Sequence, residues 1–292
     1  MSEPILKLGL PKGSLEESTL ALFAKSGWKI TRHHRNYFPE VNDAELSVSL
    51  CRAQEMPGYV GDGVLDAGLT GKDWILENGT DVEVVADLVY SKMSNRPARW
   101  VLAVAGDSPY QRPEDLAGKR VATEILGLTR RYFAERNTPV TVSYSWGATE
   151  AKVVQGLVDA IVEVTETGAT ISAHGLRVID EVLVTNTQFI ANRTAWNDPW
   201  KRRKIEQIVM LLQGALRAES LVGLKMNAPT ARLDHIIGLL PSLNSPTVAH
   251  LQDKNWVSLE IVIDTGAVRD LLPQLVAAGA EGIIEYPLNK VI

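Results

Sequence analysis

One segment, Asp159–Thr170, restricts the possible folds more than any other. Residues 160–164 are apolar apart from one acidic residue and predict a buried strand, and residues 165–170 form a loop rich in threonine and glycine at its carboxyl end. Open α/β sheets bind ligands at that end. Glycine-turn N–H groups and threonine hydroxyls suit a phosphate, while the acidic residues suit sugar hydroxyls. The segment therefore indicates a phosphoribosyl site, with an ordinary strand-to-helix turn as the alternative.

Composition is typical of a soluble globular protein. The chain has 292 residues, enough for two or three domains, of which 45% are hydrophobic and 22% charged. The net charge of −5 argues against a general nucleic-acid binder, and no apolar run reaches the ~18–20 residues of a membrane span. A single cysteine, Cys51, fits a reducing compartment. Because no signal-peptide pattern is present, we expect a cytoplasmic protein that binds neither membranes nor nucleic acid.

Predicted strands and helices alternate through the first two thirds of the chain, which indicates a parallel α/β sheet. A second α/β unit begins near Arg99 and closes with the 159–170 segment, and residues 180–190 return to the first unit. After Glu219 the order β-α-β-β-α-β predicts a ferredoxin-like module.

Two helix starts are recognisable. Ser14 is predicted to cap the first helix, with Glu17 as its capping-box partner. Asp198 and Pro199 are predicted to begin a long helix near residue 200. The basic run 201–204 in that helix fits a solvated helix face better than a nucleic-acid site.

Residues suited to anions follow three predicted strands of the first unit. Lys12 and Gly13 lie at a helix N-terminus, Arg52 follows the next strand, and residues 66–73 (Asp-Ala-Gly-Leu-Thr-Gly-Lys-Asp) are predicted to follow the third. Because the carboxyl ends of parallel strands share one edge of a sheet, we expect these groups to meet in one crevice. Glu150 lies in the first turn of a helix, where complementarity with the helix dipole is an alternative explanation.

Taken together, these motifs closely resemble the ATP phosphoribosyltransferase family in its long, self-regulated form. The matching segments are Leu10–Leu15, Tyr59–Asp73, Gly147–Glu150, Asp159–Thr170, Ser245–Val248 and Asp253–Val257. The resemblance covers nearly the whole chain. It implies transfer of the phosphoribosyl group of phosphoribosyl pyrophosphate (PRPP) to N1 of ATP, the first step of histidine biosynthesis, with feedback inhibition by histidine.

The resemblance also implies an architecture. The α/β catalytic part is expected to have two lobes, like a type II periplasmic binding protein, followed by a ferredoxin-like (βαββαβ) regulatory domain. Lobe I is expected at residues 1–92 and 185–216, lobe II at 93–184 and the regulatory domain at 217–292. The family further implies a homo-oligomer that exchanges between dimer and hexamer, and Mg²⁺ carried by the substrates rather than held directly by the protein.

Site residues are implied position by position. Glu150 and Glu163 are expected to contact the ribose hydroxyls or the magnesium-bound substrate. The 5′-phosphate of PRPP is assigned to Glu166, Thr167, Gly168, Ala169 and Thr170. Pyrophosphate and the adenine nucleotide are assigned to Lys12, Gly13, Arg52, Asp66, Thr70, Gly71, Lys72 and Asp73. Histidine is assigned to Asn227, Ser245 and Thr247, for which capping and turn formation are the alternative.

The chain departs from the family pattern twice. The family often has Arg where Ser14 stands, which removes one anion contact, and Asp where Glu163 stands, which lengthens that arm by one methylene. Adenine N1 needs no strong base, so the expected tasks are positioning, stabilising an oxocarbenium-like carbon and neutralising pyrophosphate. Two other functions compete. A solute-binding protein is disfavoured by the missing signal peptide and the extra module, and an inactive regulatory paralogue by the intact 167–170 loop.

Overall fold

The expected α/β alternation is present in the computed structural model, which describes residues 4–32, 36–90, 97–241 and 245–292. Two units separate, Met1–Val209 and Met210–Ile292, and the boundary falls inside a long helix. Its strands are β1 Leu6–Lys12, β2 Ile30–Thr31, β3 Glu40–Val41, β4 Leu46–Arg52, β5 Ala67–Gly71, β6 Glu83–Leu88, β7 Ala98–Ala105, β8 Arg120–Thr123, β9 Thr141–Tyr144, β10 Ala160–Thr165, β11 Leu176–Thr185, β12 Thr187–Ala191, β13 Leu221–Pro229, β14 Thr247–His250, β15 Trp256–Asp264 and β16 Glu281–Pro287. Its α-helices are α1 Glu16–Ser26, α2 Met56–Gly61, α3 Lys72–Asn78, α4 Leu126–Glu135, α5 Thr149–Val154, α6 Ala169–Ala173, α7 Arg193–Asn197, α8 Pro199–Ala218, α9 Leu233–Leu239 and α10 Thr265–Ala277.

The first unit contains two five-stranded sheets. One has the order β4-β1-β5-β12-β6, in which β12 is antiparallel to its neighbours and β1 is parallel to both of its own. The other has the order β11-β7-β10-β8-β9, in which β8, β9 and β10 are parallel. Residues 180–190, expected as one return segment, divide between the sheets as β11 and β12. This is the two-lobed α/β plan that was expected, and we call the two sheets with their helices lobe I and lobe II.

The central strands of lobe II, β7, β8 and β10, are largely apolar on both faces because helices cover the sheet on both sides. Val162 of β10 packs with Trp100 and Leu102 on one face, whereas Ile161 packs with Ala103 on the other. Glu163 therefore shares the face of Ile161, which the helices α5 and α6 cover. Burial on both faces explains why these segments read as continuous hydrophobic runs.

The C-terminal unit confirms the ferredoxin-like expectation. Its four strands are antiparallel in the order β14-β15-β13-β16, and α9 and α10 follow β13 and β15. Met226, Leu259 and Leu275 are fully buried in its core. Asn227 and Thr247 lie on the face of the sheet opposite to this core. Asn227 follows the buried Met226 along β13, and Thr247 pairs with Glu260, which follows the buried Leu259 along β15.

One predicted cap is correct and one is wrong. Asp198 accepts hydrogen bonds from the backbone N–H groups of Trp200 and Lys201, both at 2.9 Å, and so begins α8 as expected. The cap of α1 is Leu15, without a side-chain bond, rather than Ser14. The reason is that β1 runs on through Lys12, so the turn lies later than the sequence suggested.

The basic run in α8 is paired with acidic residues of lobe I. The Lys204 ammonium is only 8% exposed and lies 2.8 Å from Asp43 and 2.6 Å from Glu45. Lys201 lies 2.6 Å from Asp66. These two cations therefore hold the helix against the sheet, whereas the basic run was expected to form a solvated face of the helix.

Among the residues that the structure describes, no helix combines the length and the hydrophobicity of a membrane span.

Candidate active site

Lys12 and Arg52 lie side by side at the carboxyl edge of lobe I. They are register partners at the ends of the parallel strands β1 and β4. Gly13 follows with φ +103°, and a Cβ at this position would lie 3.5 Å from an Arg52 guanidinium nitrogen. The Lys12 ammonium stands 3.9 Å from the centre of the Tyr37 ring. The structure thus brings together three of the residues assigned to the pyrophosphate, and adds Tyr37, which carries no sequence signal.

The Gly13 amide is not free in this structure. It donates to a carboxylate oxygen of Glu16 at 3.3 Å, and Glu16 also accepts from Arg32. A bound anion would take the place of this carboxylate at the amide. Glu16 therefore occupies the position predicted for a phosphate.

Asp66 lies at the opposite edge of the sheet from Lys12. Residues 66–73 were expected to follow the third strand, but that strand is observed at Ala67–Gly71 and runs parallel to β1, so Asp66 precedes its amino end. There it accepts from the Lys7 N–H at 2.8 Å and pairs with Lys201. A Cβ on Gly68 would lie 2.5 Å from the Met56 sulfur, so the close approach of that side chain favours glycine within the strand. The prediction that Asp66 lines the nucleotide wall is therefore wrong.

Thr70 and Gly71 end β5, Asp73 lies in the first turn of α3, and the three residues mainly position other groups. The Thr70 hydroxyl is fully buried and donates to the Ala53 carbonyl at 2.6 Å, next to Arg52. A Cβ on Gly71 would lie 2.0 Å from an Asp73 oxygen, so only glycine fits. Lys72 is exposed beside Asp87, whose pKa is lowered chiefly by hydrogen bonds from Asn186 and Gln188 and also by the Lys72 charge.

Asp73 joins the two lobes. Its carboxylate accepts from the Trp100 indole N–H at 2.6 Å and from the Thr185 hydroxyl at 3.0 Å. Its side chain is buried, and burial raises its pKa. Four residues further along α3, the Glu77 carboxylate accepts from the N–H groups of Gly127 and Leu128, both at 2.8 Å, at the start of α4. These contacts fix α3 of lobe I against lobe II.

The predicted phosphate loop turns tightly between β10 and α6. The Thr165 hydroxyl accepts from the Gly168 N–H at 2.8 Å, and the Thr167 hydroxyl accepts from the Ala169 N–H at 3.3 Å. Gly168 has φ +80°, which a side chain would disfavour. Thr167, Ala169 and Thr170 are exposed, and Glu166 is half-buried. The loop is therefore open to a ligand, and Thr165, the first residue of the predicted loop, takes part in its geometry.

Three glutamates approach one another at the carboxyl edge of lobe II. Burial raises the pKa of Glu163 to about 7, and the charges of Glu150 and Glu124 contribute to the rise, while a hydrogen bond from Thr149 opposes it. Glu124 was not predicted. It is the next residue after Thr123, which pairs with Val162, so it stands beside Glu163 across the strands. A sequence signal existed, because Glu124 directly follows a predicted strand.

The carboxyl edges of the two lobes face each other. Burial raises the pKa of Glu124, and the second cause is the charge of Asp73, which follows β5 of lobe I. Asp73, one of the residues assigned to the nucleotide wall, thus interacts with Glu124 of lobe II, whereas Asp66 lies at the opposite edge of the lobe I sheet. Among the described residues, no three His, Cys, Asp or Glu side chains are arranged to hold a metal ion by themselves.

The raised pKa of Glu163 predicts a pH dependence. The carboxylate form predominates above pH ~7, so kcat/KM for PRPP should rise with pH through that value, and Glu163→Gln should remove the rise. The free energy of unfolding should instead fall as pH rises. The folded-state pKa lies above the ordinary 4.5, so the stabilisation is complete below about 4.5 and is lost as pH rises to about 7, by at most ~1.4 kcal/mol per pH unit. A Glu135→Gln control should keep both trends, and a Glu163→Gln profile identical to the wild-type profile would contradict the assignment.

The residues assigned to histidine are only partly brought together. Asn227 on β13 and Thr247 on β14 share one face of the C-terminal sheet and are separated by β15. Ser245 is exposed just before β14. The described residues around them supply further polar groups, since Ser258 is directly opposite Asn227.

Comparison with known proteins covers both units. A family model described as HisG: ATP phosphoribosyltransferase matches residues 52–214, and one described as HisG, C-terminal domain, matches residues 218–290. The chain belongs to the ATP phosphoribosyltransferase family. An ATP phosphoribosyltransferase from Nitratidesulfovibrio vulgaris strain DP4 is 73% identical over 287 residues, 98% of each chain. Another, from Solidesulfovibrio magneticus, is 69% identical over 288 residues, 99% of this chain and 98% of its own.

A solved structure also resembles the chain. It is described as an ATP phosphoribosyl transferase (HisG:HisZ) complex from Thermotoga maritima, with 29% identity, a TM-score of 0.62, and coverage of 73% of this chain and 99% of that one. Membership of the ATP phosphoribosyltransferase family, with its C-terminal domain, confirms the expected long form. It also confirms the expected activity, which is pentosyl transfer from PRPP to ATP (EC 2.4.2.17) at the first step of histidine biosynthesis.

Proposed function

We propose that the facing carboxyl edges of the two lobes form the site at which PRPP and ATP react. The observation that carries the proposal is the hydrogen bond between the two edges: Asp73, which follows β5 of lobe I, accepts from the Trp100 indole N–H at 2.6 Å, and Trp100 pairs with Val164 near the carboxyl end of β10 in lobe II. In this arrangement the loop Glu166–Thr170 binds the 5′-phosphate of PRPP, and Glu150 and Glu163 bind its ribose hydroxyls. Lys12, Gly13 and Arg52 bind the pyrophosphate and the nucleotide phosphates. We further propose the lobe limits 1–92 with 185–216, and 93–184.

The chemistry follows from this division. Adenine N1 attacks C1 of the ribose, the bond from C1 to the pyrophosphate oxygen breaks, and pyrophosphate leaves with the electron pair. Positive charge develops on the ribose ring, and the nearby carboxylates of Glu150 and Glu163 stabilise it. The cations Lys12 and Arg52 neutralise the negative charge that grows on the leaving group. Thr70 and Gly71 hold the Arg52 loop and the start of α3 in place, so their contribution is positional.

Mg²⁺ fits this site as an ion brought by the substrates. Mg²⁺ prefers oxygen ligands and is usually bound by one or two carboxylates together with substrate phosphates. Glu150 and Glu163 supply such oxygens beside the proposed phosphate positions. When bound, the ion would add positive charge at the pyrophosphate. This chain's own part is to orient the two carboxylates.

We also propose that the C-terminal unit, residues 217–292, binds histidine as a feedback inhibitor through Asn227, Ser245 and Thr247. The shared sheet face of Asn227 and Thr247 supports this. The proposal includes a homo-oligomer exchanging between dimer and hexamer, and a cytoplasmic location, which the unpaired Cys51 supports.

The direct test mixes the protein with ATP, PRPP and Mg²⁺ and measures phosphoribosyl-ATP, with and without histidine. We expect product in the first case and less of it with histidine. Asn227→Ala should keep the activity and lose the inhibition. Absence of product would favour an inactive paralogue, whereas product that histidine does not reduce would contradict only the regulatory part.

A further inference from the structure

Trp146, in the loop between β9 and α5, is the most exposed large apolar side chain in the described part of the protein. It is 85% exposed. An indole normally contributes a large buried area, so leaving it in water gives up stabilisation. The proposed function uses this loop to place Glu150 and leaves Trp146 without a role.

The backbone around Trp146 is held firmly. The Ser145 N–H donates to the Thr123 carbonyl at 2.9 Å, and the hydroxyls of Ser145 and Thr149, both buried, are 2.9 Å apart. Gly147 and Ala148 follow with φ of +75° and +50°. A positive φ is costly for alanine, and such strain persists where surrounding contacts impose it. The exposed indole is therefore presented from a fixed position.

That position lies in line with the proposed ribose site. β10, β8 and β9 are adjacent parallel strands, and Thr123 pairs with Val162 on one side and Tyr144 on the other. Glu163, Glu124 and Ser145 therefore form a row across the three strand ends, and Trp146 is one residue beyond it. Neighbouring strands are ~4.8 Å apart, so the backbone of Trp146 stands about 10 Å from the end of β10. A ribose at β10 with a purine at its C1 would span this row.

We propose that Trp146 is the surface on which the adenine ring of ATP stacks, which makes it a substrate-binding residue for the base. This inference rests on the proposed function of the carboxyl edges. Stacking suits the chemistry because it holds the ring by its face. A hydrogen-bond donor to N1 would occupy the lone pair that must attack C1, whereas an indole leaves that edge of the base free.

Steady-state kinetics with each substrate varied separately test the inference. In Trp146→Ala the KM for ATP should rise about tenfold, the effect expected for loss of one base–aromatic stack, while the KM for PRPP changes little. Trp146→Phe should restore most of the ATP affinity. Leu157→Ala, which removes another exposed apolar side chain near the amino end of β10, serves as the matched control and should leave both values unchanged.

Fluorescence gives a readout independent of turnover. The chain has seven tryptophans, and ATP should quench part of their emission in the wild type and less in Trp146→Phe. An unchanged KM for ATP in Trp146→Ala would overturn the inference, and so would quenching in Trp146→Phe equal to that of the wild type. In that case, a sedimentation profile of Trp146→Ala that differs from the wild type would identify Trp146 as a protein contact instead. A wild-type protein without product would contradict the proposed function, so the two failures are distinguishable.

Discussion

Replacing Glu150 by glutamine should lower kcat about 100-fold and leave the Kd for PRPP nearly unchanged. Glutamine keeps the size of the side chain and can still bond a ribose hydroxyl, so ground-state binding survives. It loses the negative charge, whose attraction to the ribose grows as positive charge develops in the transition state. Initial rates at saturating ATP and PRPP, together with equilibrium binding of PRPP, measure the two quantities.

The matched control for Glu150→Gln is Glu135→Gln. It removes an exposed carboxylate at the carboxyl end of helix α4 in lobe II and should alter neither kcat nor the Kd for PRPP. Unchanged turnover in Glu150→Gln would remove Glu150 from the site. The simple dipole explanation of its position in the first turn of α5 would then suffice.

Asp73→Ala should lower the free energy of unfolding of the first unit by about 3 kcal/mol. The substitution leaves the buried Trp100 indole N–H and the Thr185 hydroxyl without their acceptor. Each unsatisfied buried group costs about 1–3 kcal/mol. Urea denaturation followed by fluorescence measures the change.

Asp87→Ala is the control for Asp73→Ala because Asp87 also accepts two side-chain hydrogen bonds, from Asn186 at 2.9 Å and Gln188 at 2.8 Å, but is exposed. Water can replace its carboxylate, so we expect a loss below about 1 kcal/mol. Equal losses in the two variants would show that burial at Asp73 does not set the cost.

Much of the fold could be predicted from the sequence because the strands of both lobes are apolar runs separated by glycine-rich turns. The C-terminal βαββαβ order was also readable. The errors arose where glycine has a packing role. Residues 66–73 were expected to follow a strand, but Gly68 and Gly71 both lie in β5, the first under Met56 and the second against Asp73. Because the strand begins at Ala67, Asp66 lies at the amino edge of the sheet and not at the carboxyl edge where it was predicted.

The site could be predicted only as far as residues lie near one another in sequence. Lys12, Arg52 and the 166–170 loop follow strands whose ends could be recognised. The relation of Asp73 to Glu124, Trp100 and Thr185 joins segments up to 112 residues apart, and no local pattern carries that information. Tyr37 beside Lys12 was missed for the same reason.

The strand order of lobe I has a consequence for synthesis on the ribosome. β6 pairs only with β12 in its sheet, and β12 begins at Thr187, about 100 residues after β6 ends at Leu88. At about 5–20 residues per second, β6 waits roughly 5–20 s for its partner. The strands of lobe II, Ala98–Thr185, are contiguous and are all made before β12. The nascent chain can therefore complete the sheet of lobe II first, and the sheet of lobe I is completed afterwards.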